Sequence, residues 1–176
     1  MRTIPELKEG THRAKATGTL PNGKPVVVNS DGTVSVAGAA SVAQDIGSAV
    51  VFSPADDTNN TCVVYDSAAN KIVVAYIDLA NGSKGKASVG TVSGTSISFG
   101  STAVWHDAST NFIDMVYDAN AQKVVIAYYD GDNSGYGTSV VGTVSGTSIS
   151  FGTTIVFNSA NVNRISLAYS SAAQKV

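Results

Sequence analysis

The stretch Val89-Gly90-Thr91-Val92-Ser93-Gly94-Thr95-Ser96-Ile97-Ser98-Phe99-Gly100 returns letter for letter at residues 141–152, a shift of 52 positions. An identity of that length does not arise by chance, so the chain is built from a repeated supersecondary unit. The same shift aligns landmarks outside the block. Tyr65-Asp66 matches Tyr117-Asp118 and Tyr169-Ser170. Asn70-Lys71 matches Gln122-Lys123 and Gln174-Lys175. Val73-Val74-Ala75-Tyr76-Ile77-Asp78 matches Val125-Ile126-Ala127-Tyr128-Tyr129-Asp130.

Each unit resolves into four short strands. In the second unit they are expected at 112–117, 123–130, 137–144 and 148–157, joined by connectors rich in Asp, Asn, Gly and Ser. Ser145-Gly146-Thr147, between two alternating runs, is a hairpin signal. Gly152 marks a bend or bulge in the fourth strand, where one alternation ends at Phe151 and another begins at Ile155. The run Val125-Ile126-Ala127-Tyr128 is almost continuously apolar, as a strand buried on both faces should be. Few charged residues (14%) and 17 glycines fit the same picture. The expected fold is all-β, with four-stranded antiparallel units in tandem, the pattern of β-propeller blades. A stacked β-solenoid or a trimeric β-fibre is the rival, although coils of those folds are usually shorter.

The expected divisions are an extended arm at 1–17, a small β-meander at 18–36, a linker at 37–48, repeats at 49–101 and 102–153, and a truncated third repeat at 154–176. In the meander, Pro21-Asn22-Gly23-Lys24 and Asn29-Ser30-Asp31-Gly32 separate three short apolar runs. A sheet that small is not stable alone, so it should pack on a neighbouring copy, a partner or the repeats. The repeat pattern breaks off at Val176, part-way through its third copy. That reads as part of a longer array, or as a chain that closes a ring by association.

Charge is unevenly spread. The first 24 residues hold Arg2, Lys8, Arg13, Lys15 and Lys24 against Glu6 and Glu9, while the whole chain carries a net −2. A mildly acidic body argues against wrapping nucleic acid by counterion release. No run approaches the roughly 18 apolar residues of a membrane span. The N-terminus lacks the apolar core of a secretory signal. Cys62 is the single cysteine, so no intrachain disulfide and no zinc spacing are expected.

No catalytic constellation, cofactor motif or metal set stands out. His106 and Asp107 follow Trp105, but no nucleophile or second base accompanies them, and His106 reads as a neutral surface histidine. Asp130-Gly131-Asp132-Asn133-Ser134 has closely spaced oxygen donors, yet it lacks the EF-hand pattern and reads as a turn. Asp66 and Asp118 read as turn caps, and Cys62 as a small buried or half-buried filler. Tyr65, Tyr76, Tyr117 and Tyr128 recur at the unit period, which suits packing. The units diverge between Asp78 and Lys86 against Asp130 and Tyr136. Asp78, Asn81, Asp130, Asp132, Asn133, Tyr129 and Tyr136 are therefore the candidate surface-binding residues, since Tyr beside short polar side chains suits glycan and protein contacts. Arg2, Lys8, Arg13 and Lys15 are the candidate docking residues for an acidic partner surface.

The repeat Gly-Thr-Val-Ser-Gly-Thr-Ser-Ile-Ser-Phe-Gly, with Tyr117-Asp-Ala-Asn-Ala-Gln-Lys-Val-Val-Ile-Ala-Tyr128, resembles repeat regions of large virion structural proteins in marine tailed bacteriophages. The lead-in at 17–36 is similar to the segment that precedes such regions. The resemblance implies an N-terminal virion anchor and a distal, repeat-built adhesive part, and it transfers no catalytic residues. A tail fibre made in the host cytoplasm is the leading expectation. It would dock on other virion proteins through its N-terminal segment, assemble as a homo-oligomer with a trimer favoured, and bind a host-surface glycan or protein. A capsid decoration or head-fibre protein is the alternative. A propeller acting on glycans, by binding or by cleavage through Asp78, Asp130 and Asp132, comes next. A secreted adhesin is weakened by the missing signal.

Overall fold

The computed structural model describes residues 15, 16, 18–20, 22–37, 47–54 and 57–176. The chain splits into two compact units, Met1–Asp45 and Ile46–Val176. Apart from two 3₁₀ turns, the regular structure among the described residues is strand, and every strand pairing is antiparallel.

The first unit holds one hairpin, β1 (Val26–Val28) against β2 (Val34–Val36). Its turn is held by local polar contacts. Asn29 N–H donates to Thr33 O at 2.8 Å, and the Asp31 carboxylate accepts from Thr33 N–H and its hydroxyl at 3.0 and 2.6 Å. Those bonds keep the Asp31 carboxyl below its ordinary range. The expected three-stranded meander differs here. Residues 18–20 form no strand, and the third partner is an isolated parallel bridge from Ala16 to Val34. Gly18 adopts φ +93°, which breaks the extended path. All three valines of β1 stay exposed.

The second unit contains two sheets. The first is β3 (Thr58–Asp66), β4 (Lys71–Asp78), β5 (Lys84–Ser93) and β6 (Ser96–Phe99) in that order, with β7 (Ala103–His106) also on β5. The second is β8 (Thr110–Asp118), β9 (Lys123–Asp130), β10 (Tyr136–Ser145) and β11 (Ser148–Phe151), with β12 (Ile155–Asn161) also on β10. Neither sheet closes on itself. The expected fourth strand is split: β11 pairs with one half of β10 and β12 with the other, on the same side. Gly152 lies at the break and donates its N–H to Val141 O at 2.9 Å. Ala103–His106 therefore completes the first sheet.

The turns follow from residue chemistry. Asn70, Gln122 and Gln174 all take positive φ at the same place in the turn between a first and second strand. In those turns the Asp66 carboxylate accepts Ala68 and Ala69 N–H, Asp118 accepts Asn120 and Ala121, and the Ser170 hydroxyl accepts Ala173. Asp66 and Asp118 thus act as caps. The repeated Ser-Gly-Thr block closes two-residue hairpins, with positive φ at Gly94 and Gly146.

Alternate residues of the central strands point to opposite faces. Val73, Ala75, Ala87, Val89 and Trp105 of the first sheet pack against Met115, Val124, Ile126, Tyr128, Val140 and Ile149 of the second. This shared layer is the core. Gly85 makes room for Trp105: a Cβ there would meet the indole at 2.3 Å. The indole N–H donates to Lys86 O at 2.9 Å, and the ring lies 4.9 Å from Tyr128. Tyr76 and Tyr128 are fully buried. Tyr65 differs from the packing expectation: it is exposed, and its hydroxyl donates to Asn70. No helix among the described residues is long and apolar enough to cross a membrane.

Candidate functional site

The stretches where the units diverge form a 3₁₀ turn at Leu79–Asn81 and another at Gly131–Asn133, at the same end of the two sheets. Equivalent backbone bonds tie each turn to the connector before its sheet: Leu79 N–H to Asp57 O at 3.1 Å, and Gly131 N–H to Ser109 O at 2.9 Å. Both turns leave through two left-handed residues, Gly82-Ser83 and Ser134-Gly135. Thr110 N–H donates to Ser83 O at 3.0 Å and so links the first turn to the second sheet.

Asp78 and Asp130 sit beneath these turns as supports, away from the outer surface. Asp78 Oδ2 accepts from Lys86 Nζ at 2.5 Å and from Asn81 Nδ2 at 2.6 Å. The Lys86 ammonium holds the Asp78 carboxyl below its ordinary range, against the opposing effect of burial. Asn81 is thus exposed but already bonded inward. The second sheet solves the same problem differently. Thr138 stands where Lys86 would, and its hydroxyl lies 3.4 Å from Asp130 Oδ2. The facing group comes from the other sheet, with His106 Nε2 at 3.4 Å from Asp130 Oδ1. The other ring nitrogen, Nδ1, lies 3.2 Å from the Tyr128 hydroxyl. Burial and the Asp130 charge push the Tyr128 phenol up, so it stays protonated and can donate to Nδ1. His106 is therefore an inter-sheet residue, against its surface reading.

Asp132 and Asn133 are exposed on the second turn, while Tyr129 and Tyr136 are half-buried at its base. Tyr129 meets Phe112 edge-on at 6.0 Å. Phe112 holds φ +45°, as Asn60 does at the equivalent bulge, and Asn60 Nδ2 bridges the sheets to Asn111 Oδ1 at 2.9 Å. On the first turn, Lys84 pairs with Asp107 at 2.7 Å in a solvated ion pair, which lowers the Asp107 carboxyl. Lys15 is exposed, and its carbonyl accepts Val34 N–H. Arg2, Lys8 and Arg13 lie outside the described residues. Among the described residues, no three His, Cys, Asp or Glu side chains converge on a point that could hold a metal ion.

Lys86 and His106 are the partners of these two carboxylates that periodicity does not single out. The available signal was the exchange of Lys86 for Thr138 at the unit period, which leaves a repeated Asp with a non-repeated partner. Comparisons with protein-family models, curated proteins and solved structures give no match.

Cys62 lies on β3 with its thiol toward Ala75 O at 3.8 Å. Burial, with a smaller effect from the Asp114 charge, pushes the thiol from 9.0 to about 12. A thiol reagent at pH 8 is expected to label Cys62 only as the fold opens, because the thiolate is the nucleophile. Because its folded value is raised, the thiol's stabilising contribution is complete below the unfolded value and is lost as pH rises through the folded one, between 9 and about 12. Alkaline unfolding of wild type and Cys62→Ala, compared across that window, checks the sign.

Proposed function

We propose that this chain is part of a phage virion appendage of the tail-fibre kind. Residues 1–45 dock on the particle, and the 52-residue units, read as propeller blades, project toward the host surface. The observation that carries the reading is the strand-for-strand correspondence of the two sheets at one shift, combined with 3₁₀ turns of different composition at one end. Every strand of the second sheet starts 52 residues after its counterpart in the first, while the turns Leu79–Asn81 and Gly131–Asn133 share only their last residue, Asn81 and Asn133. A scaffold kept constant beneath a variable turn is the arrangement expected of an adhesive module. The exposed valines of β1 support a docking role for the first unit, since a two-stranded hairpin cannot cover its own apolar face. The adhesive target is a host-surface glycan or protein, met by Asp132, Asn133, Tyr129 and Tyr136. Homo-oligomerisation, as a trimer, is part of the same proposal.

Binding of the labelled full-length chain to host cells tests the adhesive part. Substituting Asp132, Asn133 and Tyr136 together by alanine should weaken binding by about tenfold or more. The unfolding midpoint should change little, because the first two side chains are exposed. Unchanged binding would remove this turn from the proposal. Immunogold microscopy of virions tests the placement: label confined to the head would replace the tail fibre with a head-fibre or decoration protein.

A further inference from the structure

We propose that the outer face of the second sheet is the seat for a third four-stranded unit of the same kind. The inference rests on the stacked-unit part of the reading above and is independent of the virion assignment.

The existing junction defines what such a seat looks like. Val73, Ala75, Val89 and Trp105 of the first sheet are covered by the second sheet, whose Val124, Ile126 and Tyr128 supply the lid. The second sheet presents the same pattern on its far side: Val125, Ala127, Val141 and Phe157, each displaced by 52 positions. Gly137 accommodates the Phe157 ring as Gly85 accommodates Trp105; an added Cβ would meet it at 2.7 Å. Ala127 is as buried as Ala75, and cover is lost at Val141 and Phe157. Val89 is 0% exposed and Val141 43%, and Trp105 is 5% exposed against 55% for Phe157. The turn contact is missing in the same way. Gly100 presses on the second sheet's hairpin at Thr147, where a Cβ would lie 1.9 Å from the carbonyl oxygen. The corresponding position on its far side, Gly152, meets only its own Val141 oxygen, at 3.8 Å.

The other end of the stack is already closed. Gly47 presses on the first sheet's hairpin at Thr95 as Gly100 does on the next. Phe52 lies edge-on to Tyr76 at 5.4 Å, where the outer strand of a preceding unit would place its aromatic. A second copy therefore cannot offer its first sheet without displacing its own residues 47–54. The occupant that fits is a unit with a free inner face, and the segment that corresponds to its first strand, which is not yet regular strand, already contacts the second sheet. Val162 N–H donates to Gly135 O at 3.0 Å, the counterpart of Thr110 N–H to Ser83 O at 3.0 Å. Leu167 N–H donates to Asp114 Oδ2 at 2.6 Å, and Ser170 and Lys175 form the following turn. Residues 162–175 thus run along the second sheet in the register that a third would continue.

The test extends the full chain at Val176 with a copy of residues 125–161, in a Cys62→Ala background that carries Val141→Cys as a probe. In the unextended chain the probe thiol should react rapidly. In the extended chain it should react at least about tenfold more slowly, because the face is now packed and labelling must wait for local opening. Phe157→Asp in the extended chain should restore rapid labelling. Two results would overturn the proposal: an extension that gains strand content by circular dichroism while the probe stays reactive, or an extension that gains none. A third would as well. If the unextended chain sediments as a dimer with the probe protected, the seat belongs to a second copy. None of these outcomes touches the virion assignment, which the microscopy above decides.

Discussion

Replacing Lys86 by methionine should destabilise the Ile46–Val176 unit by about 3–5 kcal/mol, because it strands a buried carboxylate without its counter-ion. Asp78 is fully buried, and its Oδ2 is shared between the Lys86 ammonium and the Asn81 amide. Methionine keeps most of the side-chain volume and removes the charge, so the loss reports the ion pair and little packing. Denaturant unfolding followed by the fluorescence of Trp105, the single tryptophan, measures it. The double variant Lys86→Met with Asp78→Asn should recover part of the loss, since the stranded charge is then gone. The pH response should separate the two proteins. In the wild type the folded Asp78 value lies below the ordinary 3.8, so its contribution is present above 3.8 and is lost as pH falls through the folded value. In Lys86→Met only the Asn81 hydrogen bonds remain to oppose burial, so acid, which removes the wild-type contribution, should narrow the deficit. A deficit that is independent of pH would show that the ion pair is not what the substitution removes.

Truncating Trp105 to alanine should cost about 3–5 kcal/mol, the usual range for emptying a buried indole site. The indole fills the space above Gly85, lies 4.9 Å from Tyr128, and satisfies the Lys86 carbonyl. Gly85, directly beneath the indole, has no side chain to fill the vacated space. The comparison that sharpens the result is Phe157→Ala, the same strand position one unit later. With 55% of Phe157 exposed, its truncation should cost less than about 1 kcal/mol. Far-UV circular dichroism in urea reads both variants. Equal losses would mean that the two sheets do not differ in cover as described.

Much of the strand pattern was legible because it depends on local chemistry. A residue that tolerates positive φ must stand where Asn70, Gln122 and Gln174 stand, whatever surrounds it. The hairpins at Gly94 and Gly146 follow from the same rule. The first unit was less legible: residues 18–20 carry the look of a strand, but Gly18 takes a left-handed turn and Ala16 supplies the pairing instead. The candidate site was legible in outline, as the stretch where the units diverge. Its inner construction was not. Asp78 and Asp130 look alike in sequence, yet one is neutralised within its own sheet by Lys86 and the other faces His106 across the junction.

By itself the sequence determined the all-β class, the 52-residue shift and the place of most turns, since period-two alternation and left-handed turn residues act over a few neighbours. The tertiary structure alone decided which face of each sheet is covered, that His106 faces Asp130 between the sheets, and that Phe157 stands open where Trp105 is buried. Those outcomes depend on what stacks against a strand, and two identical stretches of chain can meet different neighbours.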